Sequence, residues 1–338
     1  MLLPQPRGPV STELIKFLSG SPRPGPAQLR LEPTADPVTD EDLQVSLFIC
    51  YELHYRGFDG VDERWEWYPD LLTLRAVLES VFENDLRQRV TVPVLPDPAQ
   101  LPKTLTALVD GDQGPPLSGY LHRSATYPQF EEFVMHRSVY HLREADPHSF
   151  GIPRLDGRVK AALVEIQADE YGGGQADRMH AELFRTTMDR LGLRTTYGSY
   201  VDTAPAVTLA TNNLMSLFAL HRRLRGALLG HLAVLEVTSS LPNRRYGNGL
   251  RRLGADDTAT RFYDEHVEAD AVHEQIAVHD LCGVFAMTEP DRAEDILFGA
   301  AACLTLENLF AAHLLAAWER GDSSLHPTAA LPVSGGAR

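Results

Sequence analysis

Apolar residues recur at three- and four-residue steps over most of the chain, the period of helices that each bury one face. The pattern starts in "TDEDLQVSLFICYELHYRG", where an acidic first turn suits a helix N-terminus, and continues through "WEWYPDLLTLRAVLESVFENDLRQRV". It resumes in "YPQFEEFVMHRSVYHLREAD", "GRVKAALVEIQADEY", "RMHAELFRTTMDRLGL" and "TLATNNLMSLFALHRRLRGALLGHLAVLEVTSSL". "NRRYGNGLRRLG", "ATRFYDEHVEADAVHEQIAVHD" and "PDRAEDILFGAAACLTLENLFAAHLLAAWERG" complete the set. No run of strand length alternates with period two, and no internal repeat is visible. The pattern predicts an all-α helical bundle, with "LRTTYGSYVDTAPAVT" as an extended loop packed on its core.

Prolines and glycines mark the divisions. Residues 1–40 are rich in both, and "SGSPRPGPAQ" suits neither helix nor sheet, so this stretch is expected to be a flexible arm. Residues 41–120 form an N-terminal helical section followed by a Pro-rich connection over roughly 91–120. The main domain is expected over 121–325 and a flexible tail over 326–338.

Composition narrows the function. Thirty-one basic residues against 46 acidic ones leave a net charge of −15, which argues against nucleic acid and against an anionic membrane surface. The N-terminus has prolines where a secretory signal needs its apolar stretch, and the longest apolar tract is interrupted by Glu307, Asn308 and His313 and reads as a core helix. Cys50, Cys282 and Cys303 form no CxxC pair and read as reduced core thiols, so a cytoplasmic protein is expected.

The candidate chemistry centres on "EHVEADAVHE", residues 265–274. On a helix His266, Asp270 and His273 fall within roughly 60° of one another, so one face presents two imidazoles and a carboxylate. That donor set suits iron, manganese or zinc. The same segment, with Asp264, Glu265, Glu268 and Glu274, reads equally well as a charged, solvated helix.

Other segments bear on the choice. Glu236 sits in an apolar run, where a lone ionised carboxylate is costly unless it pairs with a neighbour such as Arg244 or Arg245, or binds metal. "VEIQADEYGGGQADRMHAELF" ends one helix near Asp169 and Glu170 and starts another near His180, and the glycines between let the two ends converge. No Lys-Ser/Thr follows the glycines, so a nucleotide cradle is disfavoured. Glu52 and His54 are about 200° apart on a helix and read as structural, as do the scattered His136, His141 and His148. His231, five residues before Glu236, is placed as a supporting partner of the site.

The ordered set Glu170, His180, Glu236, His266, Asp270 and His273 resembles the ligand pattern of the haem-oxygenase-like diiron oxidases, the iron-containing redox enzymes, over about residues 121–320. The resemblance implies a haem-oxygenase-like helical bundle that holds two Fe(II)/Fe(III) ions per chain and activates O2. It implies that Glu170 and His180 serve mainly one iron and His266 and His273 the other, with Glu236 and Asp270 completing or bridging the pair. Some relatives add a carboxylate, for which Glu144 is suitably placed, and the first ligand could register instead on Asp169 or Glu165. The implied partners are O2 and a small organic substrate (an amine, an amino acid or a fatty-acid-like molecule), with an external electron donor and a homodimer left open.

Two other classes compete: a non-catalytic bundle that binds a structural metal or a ligand, and a haem-handling enzyme on the same fold. Structural metal sites usually close with cysteine or four tight ligands, and three carboxylates are poor surroundings for haem propionates. Asn212, Asn213, Met215 and Phe218 are candidate pocket residues, as are Arg244, Arg245 and Tyr246, whose arginines suit a substrate carboxylate.

Overall fold

The apolar stripes fold into helices that meet in one core. In a computed structural model of the chain the described residues are 1–29 and 34–327, without the side chains of 268–271, and no strand occurs among them. The chain runs through α1 (Pro9–Leu18), α2 (Glu41–Glu52), α3 (Pro69–Arg89), α4 (Leu101–Asp110), α5 (Leu117–Arg123) and α6 (Tyr127–His141). There follow the single turn α7 (Asp146–Ser149), α8 (Gly157–Glu170), α9 (His180–Arg190), α10 (Ala206–Leu220), α11 (Arg225–Arg252) and α12 (Asp257–Gln275). α12 passes into a π-helical stretch, Ile276–Gly283, before α13 (Val284–Thr288) and α14 (Ala293–Glu319).

Local chemistry starts these helices where the sequence suggests. Asp40 accepts a hydrogen bond from the Leu43 N–H at the head of α2, Asp256 does the same for Ala259 in α12, and Thr126 with Gln129 forms a capping box on α6. α11 is the central element and packs along both α12 and α14. A Cβ on Gly230 would collide with the Ile296 carbonyl oxygen, and one on Gly299 with that of Ala227, so glycine on each helix lets the α11 and α14 backbones touch. Two segments that the apolar pattern separates near Pro242 are one helix, which continues through that proline.

The N-terminal arm is a correction. Within residues 1–29 α1 buries Val10, Leu14 and Leu18, an i, i+4, i+8 stripe hidden among prolines, and Pro9 starts the helix rather than preventing it. Asp42 accepts from the backbone N–H groups of Val10 and Ser11 at 2.8 and 2.7 Å, and Arg7 donates to the carbonyls of Val201 and Ala204 at 2.8 and 2.7 Å. The Pro-rich connection is corrected for the same reason: Pro102 lies in the first turn of α4 and Pro116 just before α5, and Leu101, Leu105, Leu117 and Leu121 are buried. Of the expected tail, residues 328–338 lie outside the described residues.

The stretch Pro290–Glu319 is long and apolar enough to cross a membrane by length and composition, yet α14 packs against α11 and α10 as a core helix. The three cysteines are free and buried.

Candidate metal centre

The turn between α8 and α9 brings the first two donors together. Gly172, Gly173 and Gly174 have φ of 64°, 60° and 80°, and a Cβ on Gly172 would lie 2.6 Å from the Arg178 backbone. His180, the first residue of α9, therefore returns to Glu170, the last of α8, with Nδ1 3.0 Å from Oε2. Glu170 is buried, Glu165 is exposed and Asp169 is 63% exposed, so of the three carboxylates weighed at this helix end Glu170 points inward.

His266 and His273 share the buried face of α12. His266 Nδ1 donates to the Phe262 carbonyl at 2.8 Å, which turns Nε2 inward to within 3.7 Å of Glu144 Oε1. The His180 and His266 ring centres are 4.3 Å apart. About two turns further along the helix, His273 Nδ1 lies 3.4 Å from Glu236 Oε2, and its Nε2 lies 3.0 Å from Asp169 Oδ2. The Asp270 side chain lies outside the described residues.

These side chains form two groups, Glu144–Glu170–His180–His266 and Glu170–Glu236–His273, each with ligand atoms within 4.8 Å of one another. Glu170 belongs to both. The resemblance implies His266 and His273 on one ion; here the two histidines, seven residues apart on a helix, fall in different groups, each facing the residues opposite its own turn. Glu144 Oε2 is buried without a hydrogen bond, while His180 pairs with Glu170 and His273 with Glu236. Burial disfavours the charged form of both imidazoles, yet Glu170 beside it raises the His180 pKa, and Glu236 and Asp169 hold His273 up at about 9. Burial alone would raise the Glu144 carboxyl, but His141 and His266 hold it well below the usual carboxylate range.

Glu144 sits on a constrained turn. Ala145 has φ 74°, the only non-glycine in the left-handed region among the described residues, and Gln167 Nε2 donates to its carbonyl at 2.7 Å. Arg143, also buried, donates to Glu52 at 3.2 Å and lies over the Tyr55 ring at 4.4 Å. Tyr197 donates to the same Glu52 at 2.8 Å, so Glu52 is structural, as its sequence position suggests. His54 lies between Glu66 and Arg75, away from the cluster.

A cavity of about 280 Å³ opens onto Glu144, Glu170, Glu236 and His266. Met215, Leu232, Leu304 and Tyr246 line it, while Asp112 and Ser118 from the α4–α5 region also border it. Arg244 and Arg245 are not among its lining residues, and Arg245 instead donates to Ser118 at 3.0 Å, so the arginine expectation is corrected. The arginine on the wall is Arg137, bound to Glu307 by hydrogen bonds of 3.0 and 2.6 Å. Asn212 and Asn213 spend their amide groups on Thr208 and Gln44, and Phe218 packs edge-on against Phe298. Three histidines treated alike in the sequence separate here. His136 bonds Thr208 and Ser324, His141 bonds Glu144 at 2.8 Å, and His148 bonds His231 at 3.2 Å.

A family profile described as iron-containing redox enzyme matches residues 131–308, which hold every member of both clustered groups. A nitrosourea synthase from Streptomyces achromogenes subsp. streptozoticus is 28% identical over 138 residues, 40% of this chain and 29% of that protein's length. The chain thus spans under a third of that relative.

Proposed function

The chain belongs to the family of iron-containing redox enzymes and is an oxidoreductase, and from that premise we propose that it uses two irons and O2 to oxidise a small organic substrate in the adjoining cavity. The observation that carries the reading is the sharing of Glu170 by two convergent groups of buried donors. Carboxylate and imidazole suit iron, and a buried cluster of them in which Glu144 Oε2 has no hydrogen bond fits a site built for cations. Bound there, iron would supply the electrons and the open coordination positions for reaction with O2.

The chain's own residues have distinct parts in this proposal. Glu144, Glu170, His180 and His266 would hold one ion, and Glu170, Glu236 and His273, with Asp270, the other. Asp169 accepts from His273 Nε2 and leaves Nδ1 for metal, while the Phe262 carbonyl leaves His266 with Nε2. His141 donates to Glu144 and fixes which oxygen turns to the ion. Phe184, Phe262 and Tyr263 are buried around these groups and keep water from the imidazoles.

The substrate is small, given the cavity, and amine, amino-acid and fatty-acid-like molecules are the classes to test. The relative's name states synthesis of a nitrosourea, which favours a nitrogen compound. The test is anaerobic loading with Fe(II), metal counting, then oxygen-electrode measurement. About two irons per chain and rapid O2 uptake are expected; a folded chain that takes up no iron refutes the proposal.

A further inference from the structure

Tyr140, on α6, and Tyr246, on α11, are partly buried, and both line the cavity. Neither hydroxyl makes a hydrogen bond to a described residue, and neither is sealed away, unlike the Tyr263 hydroxyl, which is buried without a partner. Each phenol is therefore open to whatever fills the cavity. Their surroundings differ. The carboxylates that act on the Tyr140 hydroxyl are Glu144, Glu170 and Glu236 of the donor cluster, whereas the charges around Tyr246 are Arg137, Glu307 and Arg245. Glu236 and Tyr246 are ten residues apart on α11, about 15 Å of helix. One hydroxyl thus stands at the cluster and the other away from it, in a cavity whose wall also carries the apolar Met215, Leu232 and Leu304.

We propose that these two hydroxyls are the substrate-holding donors of the cavity, and that the substrate is an elongated molecule with a hydrogen-bond-accepting group toward each end, one held beside the cluster by Tyr140 and the other by Tyr246. The inference rests on the reading of the cavity as the substrate site. Burial pushes both phenols up, Tyr140 well above its ordinary value with the three cluster carboxylates adding to it, and Tyr246 to about 12 against the pull of Arg137. Both therefore keep a proton to donate. The amide and guanidinium groups on the wall are already engaged: Arg137 donates to Glu307, Asn243 to Ser239, Gln167 to Ala145 and Ser149, and Asn308 to Asp112. Asp112, as a carboxylate, can only accept. A ligand with two acceptors gives the two hydroxyls the partners that the protein withholds.

Straight-chain diamides of four, six and eight carbons, each compared with the monoamide of the same length, test this by calorimetry on the anaerobically Fe(II)-loaded chain. Amides accept strongly and carry no net charge, so attraction to Arg137 or repulsion by Asp112 does not enter the comparison. The diamide whose length matches the separation of the hydroxyls should bind about tenfold more tightly than its monoamide, the worth of a second buried hydrogen bond. Tyr140→Phe and Tyr246→Phe should each abolish that advantage while iron content stays at the wild-type value. A merely structural hydroxyl would instead shift diamide and monoamide alike. Both variants should fold, because removing an unpartnered hydroxyl breaks no hydrogen bond, and urea unfolding checks that they do. Three diamides that bind no more tightly than their monoamides overturn the proposal, as does an advantage that persists in either folded variant. A chain that takes up no iron fails the metal reading instead, and the same comparison on the metal-free chain then judges the two tyrosines by themselves.

Discussion

The Nδ1 of His180 lies 3.0 Å from Oε2 of Glu170 across a turn of three left-handed glycines. Neither helix alone could produce that contact, because α8 ends and α9 begins at the two residues concerned. Gly172→Ala should therefore separate them: its Cβ would meet the Arg178 and Met179 backbone at 2.6 and 2.7 Å, in addition to the cost of positive φ. A loss of about 1–3 kcal/mol in urea unfolding and of iron uptake is expected. Gly173→Ala, with nothing within 4 Å, should show only the smaller backbone cost.

Because Glu170 belongs to both groups of donors, removing it should do more than removing either neighbour. Under the two-iron proposal Glu170→Ala should bind essentially no iron, and His180→Ala and His273→Ala about one each, measured on folded protein by elemental analysis. Equal losses in all three would show that the groups act as one site.

Asp169 is largely exposed, yet its Oδ2 lies 3.0 Å from His273 Nε2. It supports the ring from outside the cluster. Asp169→Ala should weaken iron binding by about 10–100-fold, as removal of a partner of a ligating histidine commonly does, without unfolding the chain. Asp169→Asn retains an oxygen acceptor and should recover much of that affinity in an anaerobic competition against a chelator.

Acid sensitivity has a source away from the cluster. His136 is buried between Thr208 and Ser324, and burial, with His313 and Arg137 adding to it, pulls its pKa down to about 3. Between that value and the ordinary one near 6.5, the unfolded chain binds a proton that the folded chain refuses. Its contribution is thus complete above about pH 6.5 and is lost as pH falls. His136→Gln, which can keep both hydrogen bonds, should lower the slope of stability against pH by about 1.4 kcal/mol per pH unit within that window. Urea unfolding at pH 7, 6 and 5 measures it.

The helical period, the imidazole face of α12 and the glycine turn beside Glu170 were legible because each is a local property of the sequence. Pairing across helices was not. The spacing of His266 and His273 says that they share a face, but only the packing of α8, α9 and α11 decides that one meets His180 and the other Glu236. His141 and His148 stand singly in the sequence, and their partners Glu144 and His231 are told apart only by the break after α6 at Ala145. α1 and α4 were masked by prolines, which read as breakers although each lies in a first helical turn, where its missing N–H costs nothing.

Arg137 supplies the last prediction. Its guanidinium lies on the cavity wall, stacked 4.4 Å from the Phe310 ring and bound twice by Glu307, so its charge is spent inside the protein. Burial disfavours the charged guanidinium, but Glu307 outweighs it and keeps the group protonated. Glu307→Gln keeps the shape and one acceptor but removes the countercharge, which leaves a cation facing the cavity. The variant should bind hexanoate about tenfold more tightly than the wild-type chain does, with hexanamide affinity unchanged, because a charge-assisted contact to Arg137 becomes available to the anion alone. Calorimetry on the two chains side by side makes the comparison. A hexanoate affinity that does not move would mean that Arg137 faces away from the bound head group, and that charge on this wall has no part in selecting the substrate.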